Sequence, residues 1–477
     1  MVEIEARLSE LRAMGLQRRM RLVSGPQGPH VVLDGKPVLL LASENYLGLA
    51  DHPRVREAAA DAATRWGVGA GASRLVSGTM TIHRRLEERL AAFVGRESAL
   101  LFGSDYLAGA GVIAALARPG DVVFSDEQAG ASLVDGCRLS GAEVFVYDHC
   151  DTEHLAWGLA QAQGRSALIV TDALFATDGE LAPLEEIVEL AQHHRVRVLV
   201  DEAHSLGALG PDGRGALADA GLEDEVDVIV GSLGAALGSY GAFVACDRVM
   251  TQYLLNAART LVFSTAPAPP AVAASLAALG LLKERPRLVA KLRAGAVALR
   301  AGLTAEGFDL RGAPTHIVPL VVGDPELALR MCDAALSRSV FVEAVGPPAV
   351  APHAAGLRLA VMASHREEEL RAAAGVLGRA ARAVGFDPRS VPIANEVYDA
   401  ADYDSRDEGF ERYEGSERYA ASERDGASER YGASERSGAS ERYRGYELEP
   451  DDVDRPVPYE EVDPSVPYDF EQVARAA

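Results

Sequence analysis

One stretch of the chain decides its fold, and it reads Val196-Arg197-Val198-Leu199-Val200-Asp201-Glu202-Ala203-His204-Ser205. The apolar, largely β-branched run predicts a buried strand, and the polar residues after it predict a turn at the strand's carboxyl end. Similar runs recur at residues 122–124, 144–146, 168–171 and 226–230, and residues 183–194 have the spacing of an amphipathic helix. This alternation predicts an α/β fold whose mostly parallel sheet is covered by helices.

In such a sheet Asp201 stands at the carboxyl end of its strand, where α/β proteins bind their ligands. A carboxylate at that edge can point into a cleft and keep a pyridine nitrogen protonated, so that the charged ring withdraws electrons from a substrate carbanion. Taken alone, the same residues have a second interpretation, because Asp201 and His204 can simply cap the start of a helix. Motifs elsewhere in the chain decide between the two.

The composition excludes several classes of partner. Lys and Arg number 47 against 70 Asp and Glu, and the net charge of −23 repels nucleic acid and anionic membrane surfaces. The four cysteines are far apart in the sequence and suggest neither a disulfide framework nor a zinc cluster. The first 22 residues carry too many charges for a signal peptide, and no apolar stretch is long enough to cross a bilayer. We expect a cytoplasmic protein with no nucleic-acid partner, no membrane insertion and no metal.

The patterns along the chain divide it into four segments. We expect an N-terminal helix or arm at residues 1–37, a large domain at 38–270, a smaller α+β domain at 271–394 and a disordered tail at 395–477. In the tail, Ser-Glu-Arg recurs every six residues from Ser416 to Ser440. Residues 456–460 and 465–469 are near-duplicates that resemble docking motifs for a protein partner. A solubilising spacer explains the tail equally well.

Several motifs resemble those of one enzyme family over roughly residues 38–385. They are Asn45-Tyr46-Leu47-Gly48-Leu49, Gly71-Ala72-Ser73-Arg74-Leu75-Val76-Ser77-Gly78, Ala131-Ser132-Leu133-Val134-Asp135-Gly136, Asp178-Gly179-Glu180-Leu181-Ala182-Pro183-Leu184 and the segment from Asp201 to Gly215. The family is that of the α-oxoamine synthases, which includes 8-amino-7-oxononanoate synthase, 2-amino-3-ketobutyrate CoA ligase and serine palmitoyltransferase. The resemblance implies the fold-type-I architecture of pyridoxal-phosphate-dependent transferases.

The resemblance also implies an activity and a set of site residues. Family members are homodimers that hold pyridoxal phosphate between their domains and condense an amino acid with an acyl-CoA, releasing carbon dioxide. By motif, Asp201 would pair with the pyridine nitrogen, His204 with the ring oxygen, and Arg358 with the amino-acid carboxylate, a bidentate task suited to guanidinium. The remaining positions implied by the motifs are Ser232, Ser104 and Tyr106 for the cofactor, Ser264 and Thr265 lent by the other subunit, and Asn45 and Arg74 for the substrate.

The chain departs from the family at the cofactor lysine. The motif Gly-Thr-x-Ser/Gly-Lys-Ala-Leu-Gly here reads Gly231-Ser232-Leu233-Gly234-Ala235-Ala236-Leu237-Gly238, so Ala235 occupies the lysine position. Only an amine can form the internal Schiff base and then remove the α-proton of the substrate as a general base. The three lysines of the chain are Lys36, Lys283 and Lys291, all far from this motif in the sequence.

Further departures concern the same cofactor. Ala129 and Gly130 replace an Asn-His pair whose histidine stacks on the pyridine ring. Asp105 adds a carboxylate to the turn that cradles the phosphate, where its charge opposes the dianion. Ala176 replaces a serine that contacts the ring, and Glu44 replaces an asparagine beside the substrate carboxylate.

These losses lead to the expectation of a pseudoenzyme that binds no cofactor, or binds pyridoxal phosphate only non-covalently, and acts as a scaffold or regulator through its tail. Two alternatives stay open. One is a slow acyltransferase with another base such as His204, and the other is a sensor for an acyl-CoA or an amino acid. His149, Cys150, Asp151 and His154 are able to contact a metal, but a surface turn is the simpler interpretation.

Overall fold

The structure is a computed structural model, and it describes residues 2–13, 18–162, 164–310, 312–347 and 349–389. The predicted tail at 395–477, with its two docking segments at 456–460 and 465–469, lies outside the described residues. The division into four segments stays a prediction.

The described part of the chain contains strands that are numbered here in chain order. They are β1 (Val23–Ser24), β2 (His30–Leu33), β3 (Lys36–Leu40), β4 (Ser98–Phe102), β5 (Val122–Asp126), β6 (Glu143–Tyr147), β7 (Ala167–Asp172), β8 (Arg197–Asp201), β9 (Val228–Ser232), β10 (Ala242–Cys246), β11 (Ile317–Val321), β12 (Val340–Phe341), β13 (Glu343–Val345) and β14 (Gly356–Ala360).

The α-helices are numbered in the same way. They are α1 (Val2–Ala13), α2 (Pro53–Trp66), α3 (Thr81–Val94), α4 (Asp105–Leu116), α5 (Ala131–Ser140), α6 (Thr152–Gln161), α7 (Leu184–His194), α8 (Ala216–Ala220), α9 (Arg248–Ala257), α10 (Arg259–Val262), α11 (Pro269–Glu284), α12 (Arg287–Glu306), α13 (Pro325–Leu336) and α14 (Glu367–Ala383). Among the helices that the structure describes, none combines the length and the apolar character needed to cross a membrane.

A seven-stranded sheet in the order β4-β10-β9-β8-β7-β5-β6 forms the centre of the fold. Neighbouring strands from β9 to β6 run parallel, whereas β10 is antiparallel to both β4 and β9. Alternate residues of these strands contribute to two separate apolar clusters, one shared with α4, α5 and α9 and the other with α3, α7 and α11. The sheet is therefore covered by helices on both faces, as the sequence predicted.

The five predicted strands of this sheet are confirmed as β5, β6, β7, β8 and β9, and the predicted helix at 183–194 is confirmed as α7. The sequence analysis did not identify β4 and β10. Both are short apolar runs beside glycine-rich turns, and their pairing joins residues 98–102 to 242–246. Such a long-range antiparallel pair leaves no local signal in the sequence.

Two smaller sheets complete the architecture. One is antiparallel, in the order β11-β14-β13, and packs against α12 and α13. The other has the order β1-β2-β3-β12 and joins the N-terminal residues to the C-terminal part through the parallel pair of β3 and β12. The strand β3 thus crosses the boundary expected between residues 37 and 38.

Two glycines allow close approaches to the turn after β9, one from the loop after β8 and one from the segment after β3. Gly207 has φ +79°, and a Cβ atom at this residue would lie 2.5 Å from the Cβ of Ala236. Gly238 has φ +61°, and a Cβ there would lie 2.4 Å from the backbone nitrogen of Ala50. Side chains at these positions would both strain the backbone and collide with neighbours. The loop that carries His204 therefore packs directly against the turn that carries Ala235 and Ala236.

Candidate active site

The candidate site lies at the carboxyl edge of the large sheet. Asp126, Asp172 and Asp201 are the last residues of β5, β7 and β8, and Asp172 and Asp201 are register partners in adjacent parallel strands. Side chains at equivalent ends of parallel strands meet at one edge, which is the usual ligand site of α/β proteins. All three carboxyl groups are buried.

Asp201 is a buried acid at the end of β8. Its Oδ1 accepts a hydrogen bond of 2.8 Å from the backbone nitrogen of Ala203. Burial, and next the neighbouring charge of Asp172, raise the pKa of Asp201 well above its usual range. A protonated pyridine nitrogen is a cation that would donate a hydrogen bond to this carboxyl group. This end of the pocket therefore fits pyridoxal phosphate.

His204 begins a chain of polar contacts that leads across the cleft. The hydroxyl of Tyr46 lies 2.8 Å from Nδ1 of His204 and 3.4 Å from Nη2 of Arg358. Burial lowers the pKa of His204, which favours a neutral imidazole. With Nδ1 engaged by Tyr46, Nε2 is the ring nitrogen that remains for a ligand.

Arg358 in β14 is held by groups on three sides. Its Nε donates to the carbonyl oxygen of Ala176 over 2.5 Å, its Nη1 lies 3.1 Å from Oε2 of Glu343, and its Nη2 lies 3.5 Å from Oε1 of Glu44. Ala176 has lost the hydroxyl expected at its position, yet its backbone fixes the arginine. Arg358 and His204, which are far apart in the sequence, are thus brought together as the motifs implied.

The predicted phosphate end of the pocket is formed by the start of α4 and the end of β9. Ser104 caps α4 through a hydrogen bond of 3.2 Å from the backbone nitrogen of Leu107, and Oγ of Ser232 accepts one of 3.1 Å from that of Gly234. A helix N-terminus favours an anion, but Asp105 in the first turn of α4 carries the opposite preference. Burial and Asp172 raise the pKa of Asp201, and the charge of Asp105 adds to this rise. Burial lowers the pKa of His204, and the same charge partly offsets that lowering, so Asp105 acts on the pocket.

Two predicted cofactor positions have other partners. The hydroxyl of Tyr106 donates to Asp135 of α5 over 2.6 Å, and the tyrosine is half exposed. At the position expected to stack on a pyridine ring, the backbone nitrogen of Gly130 donates to Oδ2 of Asp172 over 2.8 Å. A Cβ atom at Gly130 would lie 3.2 Å from Oδ1 of Asp172, so a side chain at this position would crowd the carboxylate.

Ala235 lies in the turn after β9 and is buried among the apolar residues of the main core. Lys36 belongs to β3, Lys283 to α11 and Lys291 to α12. The ammonium group of Lys283 lies over the ring of Phe93, 5.6 Å from its centroid. None of these residues belongs to the loops at the carboxyl edge of the sheet, so the described residues offer no amine in place of the missing lysine.

The remaining predicted residues divide between the cleft and the framework. Oδ1 of Asn45 accepts a hydrogen bond from the backbone nitrogen of Ala50, and its buried Nδ2 has no partner among the described residues. Arg74 donates from Nε to Thr79, from Nη1 to the carbonyl oxygen of Leu101 and from Nη2 to Glu87, which are framework contacts. Thr265 is exposed and pairs with Ser73 in an isolated bridge, with Ser264 half-buried beside it.

Sequence reasoning missed two residues of the site. Glu343 faces Arg358 because β13 and β14 pair with these residues in register. His316 is buried against Tyr46 with a ring centroid distance of 4.2 Å, and neither of its ring nitrogens has a partner among the described residues. Burial lowers the pKa of His316 to about 3. Neither position stood out from the motifs, because both depend on strand pairing in the smaller sheet.

His149 forms an ion cluster beside the site. Its Nδ1 lies 2.7 Å from Asp126 and its Nε2 lies 3.2 Å from Asp178. Burial is the largest effect and opposes protonation, but the bonds to these two carboxylates raise the pKa of His149 to about 12. Asp126 with His149 and Cys150, and His149 with Asp178 and Glu180, are each close enough to surround a metal. A protonated His149 bonded to Asp126 and Asp178 accounts for the same cluster without a metal. The absence of a metal stays a prediction.

The comparisons with known proteins agree with this geometry. The fold and its buried acid at the sheet edge define a pyridoxal-phosphate-dependent transferase architecture. Residues 36–377 match the sequence profile described as aminotransferase class I and II. The chain belongs to this family and, within it, to the α-oxoamine synthases.

The relatives are close in both sequence and structure. The 8-amino-7-oxononanoate synthase of Citrifermentans bemidjiense is 44% identical over 79% of this chain and 98% of its own length. That of Anaeromyxobacter dehalogenans is 48% identical over 76% of this chain and 91% of its own. A lysine-to-alanine variant of serine palmitoyltransferase from S. paucimobilis, solved with a bound pyridoxal phosphate–myriocin aldimine, is 32% identical with a TM-score of 0.76, covering 80% of this chain and 98% of that one.

Two expectations from the sequence are therefore wrong. The expected pseudoenzyme is contradicted by relatives that are named as enzymes and match almost their whole length at 44% and 48% identity. The expected lack of a cofactor is contradicted by a family that uses pyridoxal phosphate, as the bound molecule in the serine palmitoyltransferase structure illustrates. Both expectations rested on Ala235 and the other substitutions in the pocket. The retained groups, which are the acid of Asp201, the imidazole of His204 and the guanidinium of Arg358, are the stronger indication.

Proposed function

We propose that this chain is a pyridoxal-phosphate-dependent acyl-CoA:amino-acid C-acyltransferase of the 8-amino-7-oxononanoate synthase type, which holds its cofactor without a covalent bond. The observation that carries this proposal is the buried carboxyl group of Asp201 at the end of β8, whose raised pKa is matched by a pyridinium nitrogen. The names of the relatives support the same reaction class.

The residues that would hold the cofactor are Asp201 at its ring nitrogen, His204 at its ring oxygen, and Ser232 and Ser104 at its phosphate. Pyridoxal phosphate supplies an electron sink that stabilises negative charge on the substrate carbon. Asp201 supports this by keeping the ring nitrogen protonated, and the loop packing at Gly207 holds His204 close to the turn at Ala235.

An alanine at position 235 is compatible with a bound cofactor. The serine palmitoyltransferase structure is that of a lysine-to-alanine variant with a bound pyridoxal phosphate–myriocin aldimine, so that protein keeps pyridoxal phosphate after losing a lysine. By analogy, Asp201, His204 and the serines at the phosphate end would hold pyridoxal phosphate in this chain without a bond to the polypeptide.

Without the lysine, His204 is the proposed proton acceptor. In the neutral tautomer whose Nδ1–H donates to the hydroxyl oxygen of Tyr46, the ring is fixed and Nε2 keeps a lone pair. That lone pair can accept a proton either from the ring hydroxyl of the cofactor or from the substrate carbon. Arg358, linked to the same hydroxyl, would orient the substrate carboxylate. A base with a lowered pKa accepts protons weakly, so slow turnover is expected.

A homodimer is part of this proposal. The half-buried Ser264 and the exposed Thr265 lie where the family lends hydroxyl groups to the neighbouring subunit. Sedimentation of the full chain should show a dimer.

The activity is tested by measuring coenzyme A release from the purified full chain with pyridoxal phosphate, an acyl-CoA and a small amino acid. We expect release that depends on both the cofactor and the amino acid. Omitting either one is the control. Release at the level of these controls across a panel of acyl chain lengths would refute the proposed activity.

Asp201→Asn is expected to weaken cofactor binding and to stabilise the cofactor-free chain. The loss of a charge-assisted hydrogen bond costs about 1.5–3 kcal/mol, which corresponds to about 10- to 140-fold in the dissociation constant. The pKa of Asp201 is raised in the folded chain. The contribution of Asp201 to the free energy of unfolding is therefore complete at acidic pH and is lost as the pH rises through the folded pKa. The melting temperature of the cofactor-free variant should therefore exceed that of wild type increasingly as the pH rises. Equal melting temperatures at every pH would contradict this account of Asp201.

Asp105→Asn is expected to tighten the binding of pyridoxal phosphate. It removes one negative charge from the first turn of α4 while an amide oxygen can still accept the bond from the backbone nitrogen of Tyr106. Removing a like charge beside a dianion should lower the dissociation constant on the order of tenfold. Pyridoxal without phosphate is the control ligand, and its affinity should stay unchanged. Equal changes for both ligands would place Asp105 away from the phosphate.

A further inference from the structure

The guanidinium group of Arg358 is already occupied by carboxylates of this chain. Nη1 lies 3.1 Å from Glu343 and Nη2 lies 3.5 Å from Glu44. The remaining contacts of the group are the carbonyl oxygen of Ala176 at Nε and the hydroxyl of Tyr46 at Nη2. A guanidinium offers five N–H groups, so few are left for a substrate.

The two glutamates also stand between Arg358 and the solvent. The side chain of Arg358 is 7% exposed, whereas those of Glu44 and Glu343 are 50% and 51% exposed. A carboxylate that enters the cleft therefore meets two like charges before it reaches the guanidinium. One positive and two negative charges leave this cluster with a net charge of −1, which repels an anion.

The backbone fixes both glutamates at this place. Glu343 is the register partner of Arg358 across the antiparallel pair of β13 and β14, so the two side chains share one face. Glu44 directly precedes Asn45 and Tyr46, and the Tyr46 hydroxyl also bonds Arg358. Displacement of either glutamate requires only rotation of a half-exposed side chain, which is a small cost for a partly solvated ion pair.

We propose that Glu44 and Glu343 are specificity-determining residues that compete with the carboxylate of an amino-acid substrate for Arg358. This inference rests on the proposed function. A substrate carboxylate binds by displacing one of the two glutamates, and the other keeps the guanidinium in position. A substrate carboxylate that binds Arg358 weakly cannot displace a glutamate, so the site discriminates against it. The affinity for a primary amine without a carboxylate does not depend on this competition.

The test compares L-alanine with ethylamine, which is the same molecule without its carboxylate. The full chain is saturated with pyridoxal phosphate, and the cofactor absorbance is followed during titration with each amine. Glu343→Gln should lower the half-saturating concentration of L-alanine about tenfold and leave that of ethylamine unchanged. Glu44→Gln should act in the same direction. Glu284→Gln, which removes another half-exposed glutamate paired with Arg54, is the matched control and should change neither value.

Other results of the titration would overturn the inference. An unchanged or higher half-saturating concentration of L-alanine in Glu343→Gln would mean that Glu343 only holds Arg358 in place. Equal changes for L-alanine and ethylamine would mean that the variant altered the cofactor rather than the carboxylate site.

A second measurement keeps this inference separate from the proposed function. If no amine changes the cofactor spectrum of any variant, the proposed function fails, and the competition is decided by propionate, the carboxylate analogue of alanine. Propionate should raise the melting temperature of Glu343→Gln more than that of wild type, because a ligand of the folded state stabilises it. Equal increases would overturn the competition.

Discussion

Ala235→Lys will attach the cofactor covalently to the chain and raise the rate of coenzyme A release. The residue follows β9, and its turn packs against the loop of His204 through Ala236 and Gly207. A lysine here supplies the amine that the family pattern places at this position, and that amine can serve as a general base. General-base catalysis contributes a factor of about 10²–10⁴, so we expect a rate increase within that range.

Borohydride reduction followed by peptide mass spectrometry checks the covalent bond at position 235. Ala235→Gln is the matched control, because it has a similar length and no basic amine, and it should show neither the bond nor the rate increase. A cofactor fixed to Lys36, Lys283 or Lys291 instead would contradict the assignment of position 235.

Glu87→Ala will destabilise the folded chain strongly. Glu87 is buried, lies 2.8 Å from Nη2 of Arg74 and also accepts a hydrogen bond from the backbone nitrogen of Leu101. Its removal leaves a buried guanidinium without its counter-charge, which typically costs about 3–5 kcal/mol. Urea unfolding of the cofactor-free chain measures the change in the free energy of unfolding.

Two further variants separate the charge from the packing around Arg74. Glu87→Gln keeps an acceptor for Leu101 and should lose less stability than Glu87→Ala. The double variant Arg74→Met with Glu87→Leu removes both charges and should also lose less, since an apolar pair of similar volume is often tolerated. A double variant less stable than Glu87→Ala would contradict the assignment of Arg74 to the framework.

Local patterns predicted the parallel part of the fold. The β-branched runs that became β5 to β9 and the amphipathic helix α7 each carry their signal within a few residues. The antiparallel β10, its partner β4 and the pair of β3 with β12 were not predicted. Their positions depend on partners more than a hundred residues away, and the sequence of one strand does not specify such a partner.

The candidate site was predicted in part. Asp201 lies at the carboxyl edge of the large sheet, as its position at the end of a predicted strand implied. His204 and Arg358 come together at the hydroxyl of Tyr46, where the loop after β8 faces β14 of the smaller sheet. The contacts of Tyr46 with His204, and of Glu343 with Arg358, arise from tertiary packing and from antiparallel register, so the motifs did not reveal them. Arg74 was predicted to bind substrate, yet its donors are used by the framework.

The inference of lost function failed for a physical reason. Loss of a covalent tether removes one step and one base, but it leaves the groups that bind the ring and the substrate. Asp201 and His204 are intact, and both are buried or half-buried at the carboxyl edge of the sheet. Similarity to 8-amino-7-oxononanoate synthases along nearly their whole length is therefore a better guide to activity than single substitutions in a pocket.

The most direct test of non-covalent cofactor use is the absorbance spectrum of the purified wild-type chain with pyridoxal phosphate, before and after addition of L-alanine. We expect a cofactor spectrum that differs from that of pyridoxal phosphate in buffer, a saturable change with L-alanine, and complete loss of the cofactor on dialysis. A spectrum identical to that of free cofactor, unchanged by the amino acid, would contradict non-covalent cofactor use.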